Sequence, residues 1–116
     1  MKTKVIKIYE HGSVEVLKIE ENEIDKLDLN DVLIEHSYAG LNFIDINQRR
    51  GTYPLKKLPQ IMGMEASGIV KEVGENVSKF KIGDKVTLDA NSPHAISPFC
   101  RQLCCRNYCG GLRQYR

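Results

Sequence analysis

Residues 63–86 read GMEASGIVKEVGENVSKFKIGDKV. Gly68–Val73 carries a period-two pattern that Gly74 ends, and Lys85–Leu88 follows a tight turn at Gly83-Asp84. Both segments read as short strands. Val77 and Phe80 between them are expected to pack inward, and Gly74 and Gly83 to supply turns with positive φ. Gly63 and Gly68 are expected to bracket a turn where two backbones approach closely. Glu65, flanked by Met64 and Ala66, should be half buried and in need of a partner. Short strands at close spacing with glycine turns suggest a small barrel or sandwich.

The pattern continues on the N-terminal side. Thr3–Tyr9 (TKVIKIY) is rich in β-branched residues, and Glu15–Ile19 (EVLKI) follows the turn signal HGS, so the two predict a hairpin. The polar, acidic stretch ENEIDKLDLND reads as a surface loop. Asp31–Ala39 (DVLIEHSYA) predicts the next strand, broken by Gly40. Asn42–Arg50 (NFIDINQRR) has apolar residues at Phe43, Ile44 and Ile46 and stops at Gly51, which predicts one or two helical turns. TYPLKKLPQ, with two prolines, reads as a loop.

The chain has 116 residues, a single domain by length and too short for a complete two-domain enzyme. Hydrophobic residues at 41% and charged residues at 28% are ordinary globular usage, which argues against disorder. Trp is absent, so the core must be mostly aliphatic. A net charge of +2 is too balanced to point to nucleic acid or an anionic membrane. No apolar run approaches the about 20 residues of a membrane span, and the first residues lack a signal-peptide pattern. A cytoplasmic protein is expected.

The composition changes near Asp89. Residues 1–88 hold eleven Lys, two Arg and fourteen acids, a net of −1, and no Cys. Residues 89–116 hold four Arg, no Lys and one acid, a net of +3. All four cysteines lie there: Cys100, Cys104, Cys105 and Cys109.

Motifs for chemistry are sparse. His11, His36 and His94 form no HxxxH or HExxH pair. No Ser, Cys or Lys has a recognisable base beside it. A GxGxxG or Walker loop is absent, so the chain has no phosphate-cradling fingerprint.

Three blocks, GLNFID, GMEASGIV and VGENVSKFKIGDKV, occur here in an order and spacing that resemble the N-terminal domain of the medium-chain dehydrogenase/reductase superfamily. Within it the chain is most similar to the zinc-independent quinone oxidoreductase, or zeta-crystallin-like, branch. The opening KVIKIYEHGSVEVLKIEE fits as well, and the resemblance covers about residues 3–88. It implies a mostly β fold: a GroES-like, partly open β-barrel with one short helix, here incomplete. Residues 1–88 would form that domain. Residues 89–116 are unrecognised and Cys/Arg-rich, and the Rossmann domain that follows in full-length members is absent. The simplest account is an out-of-frame tail on a truncated product, disordered from about Pro93. The strands Gly68–Val73 and Lys85–Leu88 would then present unpaired edges through which the chain could self-associate.

The resemblance also implies NADPH as cofactor and a quinone or activated alkene as hydride acceptor, with no nucleic-acid or membrane partner. Asn42, Phe43, Ile44, Asp45, Ile46 and Asn47, together with Tyr53, would line the nicotinamide side of the cleft. Asn42 offers an amide that can donate and accept, and Tyr53 a hydroxyl and a stacking face. Asp45 could equally stabilise the helix dipole. The branch often has Tyr where this chain has Asn47, which removes an aromatic wall. No single residue is assigned as catalytic.

Zinc-dependent members place Cys and His where this chain has Asn42 and Met64, and an amide and a thioether do not replace thiolate and imidazole. The tail spacing C-x3-C-C-x3-C differs from the family's structural zinc lobe. No zinc is expected. Three functions stay open at this point: a quinone oxidoreductase fragment inactive alone, a non-enzymatic GroES-like module or functionless gene product, and a tail-mediated metal binder.

Overall fold

The computed structural model describes residues 2–24, 26–88, 102–105 and 112–115. Among the described residues, eight strands form two sheets, accompanied by one α-helix. The first sheet pairs β1 (Lys2–Ile8) with β2 (Lys18–Glu23) and with the short β4 (Gln60–Ile61), in the order β2-β1-β4. The second contains β3 (Val32–Gly40), β5 (Glu65–Val73), β6 (Lys85–Leu88), β7 (Gln102–Cys105) and β8 (Leu112–Tyr115), in the order β7-β3-β5-β6-β8. All pairs are antiparallel. The sheets do not close on one another, so the barrel is partly open. The helix α1 spans Phe43–Arg50. No helix among the described residues is long and apolar enough to cross a membrane.

The core follows the strand period. In β5, Ala66, Gly68 and Val70 are buried while Ile69 and Lys71 face out. Val32, Ile34, Ala66, Val70, Phe80 and Val86 form one cluster, with Val73 and Val77 packed against it. The inward packing expected of Val77 and Phe80 is therefore observed. Two buried acids hold tight turns. Asp31 Oδ2 accepts from Asp28 N–H at 2.9 Å, and Asp84 Oδ2 accepts from Lys81 N–H at 3.0 Å. Each carboxylate thereby satisfies a turn amide that has no ladder partner.

Gly68 is buried opposite His36, beside one of two register shifts between β3 and β5. A Cβ there would lie 2.2 Å from the Glu35 carbonyl oxygen, so only glycine lets the strands pair. The close approach read from the sequence is real, but it lies inside β5, which already begins at Glu65, rather than at a turn. Gly83 has φ 93°, as expected. Gly74 does not adopt a positive φ; its added Cβ would strike the Asp28 and Leu29 carbonyls at 2.4 Å, so contact rather than backbone conformation demands glycine.

Other expectations shift. The β1–β2 hairpin forms, but Val14–Val16 is a 3-10 turn and β2 begins at Lys18 and runs to Glu23. The polar stretch read as loop therefore contributes the end of an edge strand, where the outer side is solvated and polar residues suit it. The strands expected to carry unpaired edges are both interior: β5 lies between β3 and β6, and β6 between β5 and β8. The tail expected to be disordered from about Pro93 instead contributes β7 and β8 to the two edges, because backbone N–H and C=O groups alone suffice for a four-residue strand to pair. The remainder of residues 89–116 lies outside the described residues.

Candidate functional site

Asn42 is extended, with φ −123° and ψ 164°, and caps the N-terminus of α1. Asp45 Oδ2 accepts from Asn42 N–H at 2.8 Å, and Asp45 N–H donates to the Asn42 carbonyl at 3.1 Å. The acid three residues into the helix thus satisfies the amide at its cap. Asp45 is 4% exposed. Burial raises its carboxyl above the ordinary carboxylate range; the bond from Asn42 opposes this, and the charge of Glu65 adds to it. Gly40 pairs with Glu65 at the end of the β3–β5 ladder, which carries Glu65 to the start of α1. Glu65 is half buried, as expected.

The C-terminus of α1 is capped by Gly51 in the left-handed region, φ 86°, with its N–H directed at the carbonyls of Asn47 and Gln48 at 3.1 and 3.2 Å. Tyr53 N–H also donates to the Asn47 carbonyl, at 3.2 Å. The two parts of the expected site, 42–47 and Tyr53, are therefore held together through the last turn of α1. They do not all share one face. Phe43 is 83% exposed and Tyr53 59%. Asn42, Ile44, Ile46 and Asn47 are half buried. Asp45 and Ile46 line a cavity of about 500 Å³ with Ile6, Leu17, Arg49 and Met62. Successive helical residues turn by about 100°, so a run of six cannot form one wall. Met64 is tied to α1: Gln48 Nε2–H donates to its Sδ at 3.5 Å. Among the described residues, no three His, Cys, Asp or Glu side chains gather as metal ligands.

Sequence reading passed over His11. Its Nε2 accepts from Leu55 N–H at 3.1 Å, two residues beyond Tyr53. Only its place in the HGS turn, far from Leu55 in sequence, hinted at a role.

The family model described as the alcohol dehydrogenase GroES-like domain matches residues 28–116. The chain belongs to that family. The match runs past residue 88, where composition changes, to the last residue. Within the family this GroES-like chain is similar to quinone oxidoreductases. It is 42% identical over 93 residues to quinone oxidoreductase 1 of Escherichia coli (strain K12), covering 79% of this chain and 28% of that protein. It is 36% identical over 90 residues to acryloyl-coenzyme A reductase of Sulfurisphaera tokodaii, covering 78% of this chain and 27% of that protein. The solved structure of Escherichia coli quinone oxidoreductase complexed with NADPH matches with a TM-score of 0.74 and 33% identity, over 88% of this chain and 30% of that one. The GroES-like chain thus spans under a third of the length of these relatives and aligns with their N-terminal part.

Proposed function

We propose that this chain forms the N-terminal wall of an NADPH-dependent oxidoreductase that reduces a quinone or another activated alkene. The observation that supports this most is the pairing of Asn42 and Tyr53 through one short capped helix, in a chain whose relatives include a quinone oxidoreductase solved with NADPH. The acryloyl-coenzyme A reductase relative supports the wider class of acceptor.

The residues at the start of α1 fit the ring end of such a cofactor. Leu41, Phe43 and Tyr53 are apolar or aromatic and exposed, and the Asn42 amide stands at a helix N-terminus among them. Bound NADPH would supply the hydride. The chain's own residues then orient and exclude: Asn42 donates and accepts hydrogen bonds, Tyr53 offers a face and a hydroxyl, and Phe43 covers apolar surface from water. Asp45 holds Asn42 in place. A catalytic zinc does not fit the donor set, because Asn42 and Met64 offer an amide and a thioether, and the thioether is engaged by Gln48. With no phosphate-cradling fingerprint in its sequence, the chain by itself is inactive.

The test is a chimera in which residues 1–88 replace the corresponding segment of the Escherichia coli quinone oxidoreductase 1. NADPH-dependent quinone reduction within about tenfold of the parent is expected. A folded chimera that binds NADPH yet leaves quinone unreduced would defeat the proposal.

A further inference from the structure

Two consecutive residues in the connection after β1, His11 and Gly12, clamp the turn that carries Tyr53. Gly12 N–H donates to the Arg49 carbonyl at 2.9 Å, which fixes the last turn of α1. The His11 ring packs against Gly51: a Cβ on Gly51 would lie 3.2 Å from the His11 Cβ and Cγ. His11 Nε2 then accepts from Leu55 N–H at 3.1 Å. The 49–55 turn is thus gripped at its start, at its left-handed cap and beyond Tyr53, all from a segment about forty residues earlier. Tyr53 itself donates its N–H to the Asn47 carbonyl at 3.2 Å, and its side chain is exposed. An exposed side chain on a loop keeps one orientation only if the backbone on both sides is fixed.

We propose that His11 is the positioning residue for Tyr53: its neutral imidazole, with the proton on Nδ1, accepts from Leu55 N–H and so sets the backbone that presents the tyrosine ring to the ligand. This rests on the functional reading above for what the ligand is, but the positioning itself does not. Leu55 N–H faces Nε2, so an acceptor there is what the positioning requires, while the ring beside Gly51 adds packing only. The two features can be separated. Phenylalanine keeps the ring and removes the acceptor; glutamine keeps an acceptor at the reach of Nε2 and removes the ring.

Amide hydrogen exchange on the 116-residue chain reads the first half. His11→Phe should accelerate exchange at Leu55 by at least about tenfold, and His11→Gln should return it to within about threefold of the parent, with Ile34 and Val70 unchanged in both. Unchanged exchange in His11→Phe, or equal acceleration in both variants, would overturn the hydrogen-bond role. Should His11→Phe not fold, the parent decides: a scalar coupling across the hydrogen bond from Leu55 N–H to the His11 Nε2 is expected, and its absence overturns the proposal. In the chimera, His11→Phe should raise the KM for NADPH or quinone several-fold more than it lowers kcat, and His11→Gln should restore it. Faster exchange at Leu55 with kinetics unaltered would show that the clamp does not serve Tyr53, whereas an inactive parent chimera would count against the functional reading alone.

Discussion

Replacing Gly68 with alanine should cost this chain a large part of its stability. The new Cβ would sit 2.2 Å from the Glu35 carbonyl oxygen and 2.9 Å from both the Glu35 carbonyl carbon and the His36 Cα. These are backbone atoms of β3, which cannot rotate away as a side chain can. Ordinary contact begins at 3.4 Å, so the strands must separate locally by more than 1 Å. Overpacking of this kind costs about 1–3 kcal/mol. Parting β3 from β5 also weakens the neighbouring ladder bonds, each worth about 1 kcal/mol net. The sum is about 2–4 kcal/mol against a typical stability of about 5–15 kcal/mol. Urea denaturation followed by circular dichroism measures it. With a slope of about 2 kcal/mol/M, in the middle of the usual range, the midpoint should fall by about 1–2 M at unchanged slope, whereas Ser67→Ala should move it little. A Gly68→Ala midpoint within about 0.2 M of the parent would refute the claim that this glycine lets the strands pair.

Three further outcomes are expected. Asp45→Asn keeps an acceptor for Asn42 N–H but removes a buried carboxyl whose pKa is raised by burial. Such a group favours the folded state only while protonated, so the parent should lose stability relative to the variant as pH rises from the ordinary carboxylate range toward neutrality; a difference that instead grows toward acid would contradict the assigned environment. The purified chain should hold far less than one zinc by elemental analysis, and stoichiometric zinc that survives dialysis and is lost on mutating Cys100 and Cys109 would reveal a tail site. The pure 116-residue protein should not oxidise NADPH with quinone above the uncatalysed rate, and rapid turnover would show that no second domain is needed.

The strands were legible where pattern and packing agree. GIVKEV alternates because one face of β5 covers Val32 and Ile34, and the helix from Phe43 to Arg50 was bounded by its own cap residues, Asn42 and Gly51. The 3-10 turn at Val14–Val16 was hidden because its apolar spacing also suits a strand. Gly74 looked like a left-handed turn residue, yet its requirement comes from carbonyls 45 and 46 residues upstream, which no local pattern reports. The pairing of Gln102–Cys105 and Leu112–Tyr115 with β3 and β6 uses backbone groups that every residue possesses, so composition carried no trace of it. At the site, the resemblance supplied Asn42 and Tyr53, but their joining through the Asn47 carbonyl and the His11 clamp are tertiary facts.

The most direct measurement is steady-state quinone reduction by the chimera carrying Asn42→Ala or Tyr53→Ala, with Lys56→Ala as the control on the same loop. Both site variants should lose about tenfold or more in kcat/KM, or about 1.4 kcal/mol of transition-state stabilisation, while the Lys56 variant retains the parent rate. Equal activity in all three would contradict the assignment of this helix and its following turn as the wall against which hydride transfer takes place.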